Sequence, residues 1–143
     1  MAVFAAGTWQ VSAYSDYALR ALVEIASAPS ASPLPARVIA EHQQIPALFL
    51  NNILADLRRG GLIASKRGLR GGWSLTRPAD QITVADVLGA IDRRELQRAG
   101  RAVRRPRSSI GQAIDELWCR LRASVEAVAT TTTLRDLVAA ASE

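Results

Sequence analysis

The sequence predicts a mainly α-helical protein with one small β-hairpin, arranged as a winged helix-turn-helix and followed by a long helix. Two short helices joined by a tight turn are the first observation, and a glycine-rich basic hairpin directly after them is the second. The third is an amphipathic segment of about five helical turns near the C-terminus. The 143 residues are 49% apolar and 22% charged, which is typical of a globular chain of about one domain.

The first helix is predicted over residues 12–27, where apolar side chains recur on one helical face. The members of this face are Tyr14, Tyr17, Ala18, Ala21, Leu22, Ile25 and Ala26. Asp16 suits the positive start of the helix, and Pro29 ends it. The first element is therefore a helix that buries one side against the elements that follow.

Two shorter helices follow and give the helix-turn-helix pattern. Pro35 fits the first position of the second helix, and Pro46 prevents that helix from continuing. A third helix is predicted over residues 47–59, and Gly60 and Gly61 end it. Its predicted buried face is formed by Leu50, Ile53, Leu54 and Leu57. In such a pair, the second helix is the one that lies in a DNA major groove.

A β-hairpin is predicted next, because two short β-prone runs flank a basic turn that is rich in glycine. The runs are Leu62–Ser65 and Trp73–Leu75, and the turn is Lys66–Gly72. Glycines allow the backbone of such a turn to take positive φ values and to lie close to another surface. A hairpin that directly follows a helix-turn-helix is a wing.

The fourth helix begins at Thr83, which forms a capping pair with Asp86. Residues 93–107 then form an arginine-rich linker. We divide the chain accordingly into a winged helix-turn-helix domain for DNA binding (residues 1–92), this linker, and a region with a dimerisation helix and a C-terminal helix (residues 108–143).

The fifth helix opens at Ser109 and carries a narrow apolar seam that suits packing against a partner helix. The predicted dimer interface consists of this seam and the neighbouring tryptophan: Ile110, Ile114, Leu117, Trp118, Leu121, Val125 and Val128. Four threonines at 130–133 end the helix, and a short closing helix contains Leu134, Leu137 and Val138.

The formal charge of +5 is concentrated in two blocks. Residues 58–77 carry six basic side chains and no acid, and residues 93–107 carry seven arginines against Glu95. Such blocks indicate contact with a polyanion or an anionic surface. Lys66 is the only lysine among the 18 basic residues. Arginine suits phosphate and guanine edges, although codon composition explains the preference equally well.

The cysteine and histidine content excludes several classes of protein. Cys119 is the only cysteine and His42 the only histidine, so the chain lacks the residues for a disulfide framework, a cysteine metal site or a Ser-His-Asp triad. We predict no enzyme activity, no cofactor and no metal. No apolar run is long enough for a membrane span, and the N-terminus does not resemble a secretory signal. We therefore expect a protein of the reducing cytoplasm.

The outward side of the third helix supplies the predicted base-reading residues, Ala47, Leu48, Asn51 and Asn52. Asparagine pairs bidentately with adenine, and Ala47 or Leu48 can touch a thymine methyl group. On the wing, Arg67 and Arg70 are predicted to enter the minor groove. The predicted phosphate contacts are Arg58, Arg59, Lys66 and Arg77. The plain alternative is that these polar and basic side chains are solvated and have no nucleic-acid partner.

Several short motifs then occur in the order of one known family. They are Ile39-Ala40-Glu41, Ile45-Pro46, Gly61-Leu62-Ile63, Arg67-Gly68, Gly71-Gly72 and Ile82-Thr83-Val84. Together they resemble the bacterial IscR/NsrR/CymR-type family of winged-helix transcription regulators over about residues 12–93. The long helix matches only in pattern. The resemblance implies a homodimer on a partly palindromic operator, with Asn51 and Asn52 reading bases and Arg67 reaching the minor groove.

The chain departs from this family at the cluster site. Many relatives hold an iron–sulfur cluster on three cysteines, whereas residues 93–107 contain none. Asp16 matches an acidic ligand of the nitric-oxide-sensing branch, but one carboxylate without thiolates cannot hold a cluster. We therefore expect no cluster, and we interpret Asp16 as a helix-start residue. Cys119 is expected to be a buried, inert thiol on or beside the seam. A redox-active Cys119–Cys119 bond between two chains is the alternative.

The function that follows is a sequence-specific DNA-binding transcription regulator, expected to be a repressor and a homodimer. The alternative is a non-enzymatic interaction module that uses the winged-helix scaffold and the basic linker to bind an acidic partner. The effector stays open between a small molecule held by the first and long helices, a partner protein, a thiol switch, and none.

Overall fold

The fold consists of six helices and one hairpin in the part of the chain that the computed structural model describes. These residues are 13–29, 32–98 and 108–143, with the backbone alone for residues 92–98. The first elements are α1 (Ala13–Ser27), α2 (Ala36–Gln43), α3 (Ala47–Arg59), β1 (Ile63–Lys66) and β2 (Gly72–Leu75). A short 3₁₀ turn (Ala79–Gln81) leads to α4 (Val84–Arg98), α5 (Ser109–Thr131) and α6 (Leu134–Ala141). The predicted mainly helical fold with a single hairpin is confirmed.

The hydrophobic core lies between α1, α2, α3, α4 and the start of α6. The predicted apolar face of α1 packs into it, with Tyr14, Tyr17 and Ala26 half-buried at its margin. On α3 the four predicted core side chains are buried: Leu50, Ile53, Leu54 and Leu57. Since this face points inward, the opposite side of α3 is left on the surface.

The hairpin is antiparallel, and its register pairs Ile63 with Leu75 and Lys66 with Gly72. A third segment joins it, because Leu34 exchanges two backbone hydrogen bonds with Trp73, at 2.9 and 2.8 Å. Gly72 permits this close approach, since a Cβ atom at that position would lie 2.5 Å from the carbonyl carbon of Leu34. The loop before α2 therefore pairs with β2 and fixes this strand of the wing against the rest of the domain.

The starts of α4 and α6 meet through their caps. Thr83 and Asp86 form the predicted capping pair with reciprocal hydrogen bonds, and Thr133 and Asp136 form a second one. Backbone bonds at 2.9 Å join Val84 to Thr132 and Leu134 to Ile82. This bridge attaches the C-terminal region to the domain, and α6 then packs against α1.

Two boundaries differ from the sequence-based prediction. Helix α4 continues to Arg98, so residues 93–98 are helical instead of belonging to a linker, and the good helix formers in this stretch explain the extension. The remainder of the predicted linker, residues 99–107, lies outside the described residues. The cap of α5 is Ser108, whose hydroxyl accepts from the Gly111 N–H at 3.1 Å, whereas Ser109 is the first helical residue.

Candidate DNA-binding surface

The outward side of α3 carries the four residues predicted to read bases. Ala47, Leu48, Asn51 and Asn52 are all exposed, and the Leu48 side chain is 80% accessible. The helix repeats every 3.6 residues, so Leu48 and Asn52 lie roughly opposite the buried apolar face, and Asn51 lies toward one side of it. The side-chain amides of Asn51 and Asn52 are therefore directed away from the core and are accessible to a ligand.

Both ends of α3 are fixed by backbone contacts. At its start, the Leu50 N–H donates to the Pro46 carbonyl at 3.0 Å. At its end, the N–H groups of Gly61 and Leu62 donate to the carbonyls of Arg58 and Leu57, at 2.9 and 3.0 Å. This is the hydrogen-bond pattern of a Schellman cap. The recognition helix is thus held at a defined length and angle.

The turn between α2 and α3 is held by contacts to α1. Gln44 adopts a left-handed conformation with φ of 51°, and Ile45 follows it into the core. The carboxylate of Glu24 on α1 contacts the Nδ1 atom of His42 at 2.7 Å and accepts from the Gln43 amide at 2.6 Å. The His42 side chain is itself exposed.

Asp56 is a buried carboxylate on α3 that the sequence analysis did not single out. The residue is 5% exposed. It accepts a hydrogen bond from the Tyr14 hydroxyl on α1 and pairs with the Nη2 atom of Arg59 at 2.6 Å. The available signal was an acidic residue three positions before an arginine, on a helix with no other acidic residue. The contact ties α3 to α1.

The basic residues of the surface fall into two groups. Four are exposed and have no ion pair within the part of the chain that the structure describes: Arg58, Lys66, Arg67 and Arg70. The other two predicted phosphate contacts are held inside the chain. Arg59 pairs with Asp56, whereas Arg77 contacts the Asp86 carboxylate at 3.3 Å and the Gln81 carbonyl at 3.1 Å. Their guanidinium groups are consequently less free than those of the first group.

A groove of about 440 Å³ separates the recognition helix from the wing. Its walls are formed by Asn51, Ala55, Arg58, Arg59 and Trp73. Two arginines, one amide and an indole ring therefore face the same space. Trp73 was predicted as a strand residue only, and its place beside α3 depends on the bridge to Leu34.

The start of α3 also carries an aromatic contact that sequence analysis missed. The rings of Phe49 and Tyr17 are 6.3 Å apart and tilted by 56°. The guanidinium carbon of Arg20 lies 5.8 Å from the centre of the Tyr17 ring, and Arg20 also pairs with Asp16 at 2.7 Å. The helical spacing of Tyr17 and Arg20 on α1 was visible in the sequence, but their neighbour on α3 was not.

The seam of α5 is exposed in the single chain. Six of the seven predicted interface residues are exposed, and Leu121 is half-buried: Ile110, Ile114, Leu117, Trp118, Leu121, Val125 and Val128. Toward the end of the helix, the seam and α4 form an apolar cavity of about 480 Å³ that is open to solvent, lined by Val84, Leu88 and Val125 among others. This cavity lies between α4 and α5, whereas the sequence analysis considered a site between the first and the long helices.

The prediction of a buried Cys119 on or beside the seam is wrong. The thiol is exposed. It lies two positions after Leu117, which places it about 200° around the helix and thus on the side away from the seam. Within the described residues, no group of three or more potential metal ligands comes together.

These features define a winged helix-turn-helix protein whose recognition helix and wing present one amide-bearing and basic surface. The sequence profile of the family described as "Rrf2: Iron-dependent Transcriptional regulator" matches residues 11–140. The chain therefore belongs to the Rrf2 family. It is a transcriptional regulator with a DNA-binding fold and is not an enzyme.

Individual relatives agree with this assignment. An HTH-type transcriptional regulator of Mycobacterium tuberculosis is 38% identical over 134 residues, covering 92% of this chain and 83% of the relative. The fold is similar to CymR, the global cysteine regulator of B. subtilis, with a TM-score of 0.75, 28% identity, and coverage of 92% and 97%. It is equally similar to T. potens IscR, with a TM-score of 0.75, 26% identity, and coverage of 94% and 89%. No helix among the described residues has the length and apolar character to cross a lipid bilayer.

Proposed function

We propose that this chain is a homodimeric repressor that binds a partly palindromic DNA operator and acts in the cytoplasm without an iron–sulfur cluster. The observation that carries the proposal is the outward side of α3, where Asn51 and Asn52 are exposed and Asn51 lines one groove together with Arg58 and with Trp73 of the wing. Amides on a recognition helix read bases, and arginines on an adjacent wing supply affinity and register.

The base-reading step falls to the outward side of α3. An asparagine side chain offers one donor and one acceptor, which match N7 and N6 of adenine. Leu48 and Ala47 are apolar and exposed near the start of the helix, where they suit contact with thymine methyl groups. We therefore expect A·T pairs at the centre of each half-site.

The phosphate-binding step falls first to Arg58, near the end of α3, and Lys66, at the end of β1, which have no ion pair among the described residues. Arg67 and Arg70 on the wing turn are instead expected to enter the minor groove. Arg59 and Arg77 would contact phosphate while they keep their carboxylate partners, which orient the guanidinium groups. Each contact releases counterions, so binding should weaken as salt rises.

The homodimer follows from the seam of α5. A helix of 23 residues is about 35 Å long, and nearly its whole apolar side is exposed in the single chain. A second copy of the same helix would cover this surface. Dimerisation would also place two recognition helices on one DNA face, about one helical turn apart, as a palindromic operator requires.

The absence of a cluster follows from the available ligands. The family is described as iron-dependent, but this chain has one cysteine, and Cys119 is exposed on the long helix. Asp16 pairs with Arg20 at 2.7 Å. One thiolate per chain does not fit an iron–sulfur cluster. Anaerobic reconstitution with iron and sulfide should therefore give no iron–sulfur absorption band, and a stable band would contradict this part of the proposal.

The decisive experiment is selection from a random DNA library with the full chain. The wild-type protein should enrich a partly palindromic sequence and bind it at least ~10³-fold more tightly than random DNA. The Asn51→Ala/Asn52→Ala variant should lose this preference and retain weak, salt-sensitive binding. Gln112→Ala, which removes an exposed amide on α5, is the matched control and should bind like the wild type.

Two results would overturn the proposal. The first is a wild-type protein that enriches no sequence. The second is a double asparagine variant that keeps the full preference for the selected operator. Binding to polyglutamate as tightly as to any DNA would favour the alternative, in which the basic surface holds an acidic protein partner.

A further inference from the structure

The tip of the wing carries a fully exposed leucine that neither the base-reading nor the phosphate-binding residues include. Leu69 has a relative accessibility of 108%, so no other part of the described chain covers its side chain. By contrast, Leu57, Leu62 and Ile63 are buried, and Leu75 on β2 is half-buried. Leu69 therefore contributes nothing to the core of this domain.

The turn holds Leu69 in this outward position. The Gly71 N–H donates to the Gly68 carbonyl at 2.9 Å, which closes a β-turn with Leu69 and Arg70 as its two central residues. A Cβ atom on Gly71 would lie 2.2 Å from the Lys66 carbonyl oxygen, so the two sides of the loop are in close contact. In this closed turn, the Leu69 side chain extends into solvent and does not pack on the rest of the domain.

The surroundings of Leu69 are basic. Arg67 and Arg70 lie within two residues of it and are exposed, and the sequence has no acidic residue between Asp56 and Asp80. The tip thus combines one exposed apolar side chain with two exposed arginines that are close to it in sequence. A DNA minor groove has the matching arrangement, because its walls are deoxyribose rings and its rims are phosphates.

We propose that Leu69 enters the minor groove at the wing contact and packs against the deoxyribose walls, with Arg67 and Arg70 on either side. The inference rests on the proposed DNA-binding function and adds to it a residue that senses groove width. A narrow A·T-rich groove would contact the leucine on both walls, whereas a wide groove would contact it on one. Apolar side chains in the minor groove are an established means of such recognition.

The test uses the full-length protein and the operator that the wild type enriches. Leu69→Ala should weaken binding to that operator by roughly tenfold, because the buried apolar area is lost. The slope of affinity against salt should stay unchanged, since no charge is removed. Arg70→Ala is the matched comparison at the neighbouring turn position, and it should reduce the salt slope by about one unit. Leu69→Met should keep most of the affinity.

Hydroxyl-radical footprinting supplies a second measurement, because this reagent attacks deoxyribose from the minor groove. The wild type should protect sugars at the wing position of each half-site, and Leu69→Ala should lose that protection while protection elsewhere remains. Unchanged affinity and unchanged protection in Leu69→Ala, on an operator that the wild type binds specifically, would overturn this inference and leave the proposed function intact. Failure of the wild type to enrich any operator would instead overturn both.

Discussion

At the scale of single residues, the most informative side chain is the buried carboxylate of Asp56. An isolated buried charge is costly, but the Asp56 carboxylate accepts hydrogen bonds from the Tyr14 hydroxyl and the Arg59 guanidinium. The carboxylate therefore joins α1 to α3 and orients an arginine on the proposed DNA-binding surface. These hydrogen bonds offset the free-energy cost of burying the carboxylate. A leucine at this position would not form them.

Replacement of Asp56 should destabilise the protein. Asp56→Ala leaves the Tyr14 hydroxyl without this acceptor and frees Arg59, so we expect a loss of about 1–3 kcal/mol in the free energy of unfolding. Urea denaturation followed by circular dichroism measures it. Asp80→Ala is the matched control, because Asp80 has an exposed ion pair with Arg135 at 3.7 Å, and such pairs contribute little. Equal unfolding midpoints for the two variants would refute the structural role of Asp56.

At the scale of elements, the angle of the recognition helix depends on how closely α3 approaches α4. A Cβ atom on Gly60 would lie 2.7 Å from the Cβ atom of Ala90, so the end of α3 rests against α4 with no space for a side chain. Gly89, one residue before Ala90, has nothing within 4 Å of such a Cβ atom. Gly60 therefore has no space for a larger side chain, whereas Gly89 does.

The two glycines should respond to alanine in opposite directions. Gly60→Ala forces two backbones apart and should lower the free energy of unfolding by roughly 1–3 kcal/mol. Gly89→Ala lies in an exposed helix interior and should raise it by roughly 0.5–1 kcal/mol. Thermal or urea unfolding of both variants measures the difference. A Gly60→Ala protein as stable as Gly89→Ala would be incompatible with the close contact of α3 and α4.

The capping boxes of α4 and α6 make the junction between the starts of these two helices sensitive to acid. The backbone N–H of Thr83 is the main reason that the pKa of Asp86 lies below its usual value of 3.8. The Thr133 N–H lowers the pKa of Asp136 in the same way. A lowered pKa in the folded state means that the carboxylate form stabilises the fold. This contribution is complete above the unfolded-state pKa and is lost as the pH falls through the folded-state value.

Acid titration of stability should reveal these two carboxylates. Between about pH 5 and pH 3 the urea midpoint of the wild type should fall, because the unfolded state takes up protons at these carboxylates more readily than the folded state. The Asp86→Asn/Asp136→Asn variant should be less stable at neutral pH and should show a shallower fall over the same interval. Parallel curves for the two proteins would show that the caps do not contribute to the acid response.

At the scale of the whole molecule, α5 determines the proposed assembly. Its seam faces away from the core along most of its length, whereas its last turns contact α4 around the apolar cavity. An apolar surface of this extent indicates an association site. The opposite side of the helix carries Cys119 and charged side chains, so the interface and the exposed thiol are on different sides.

A charge on the seam should prevent the association of two chains. Leu117→Glu places a carboxylate where the partner helix would pack, and the protein should sediment as a monomer at concentrations where the wild type sediments as a dimer. Ala123→Glu, an exposed position on the other side of α5, is the matched control and should remain dimeric. Operator binding should weaken in parallel with the loss of the dimer, because two half-sites are then bound separately.

A dimeric Leu117→Glu protein, or a monomeric Ala123→Glu protein, would place the interface elsewhere. Mild oxidation gives a further check on the same geometry. With the thiols on the outer side of α5, the dimer should give no Cys119–Cys119 bond on a non-reducing gel.

The sequence by itself determined the elements and their inward faces. The spacing of Leu50, Ile53, Leu54 and Leu57 placed α3 and left Asn51 and Asn52 outside, because helical periodicity and burial are local properties of a chain. Proline and glycine marked the ends of α2 and α3 for the same reason. Thr83 and Asp86 are three residues apart, so their cap could also be predicted.

Only the tertiary structure decided which distant residues meet. The Tyr14–Asp56 contact, the Leu34–Trp73 bridge and the Thr83–Thr133 bridge each join segments that are far apart in sequence. The tertiary structure also brings Arg77 to Asp86, whereas Arg67 has no ion pair among the described residues. The physical reason is that these contacts depend on how the packed helices orient one another, and a periodic pattern along one segment contains no information about the side chains of another.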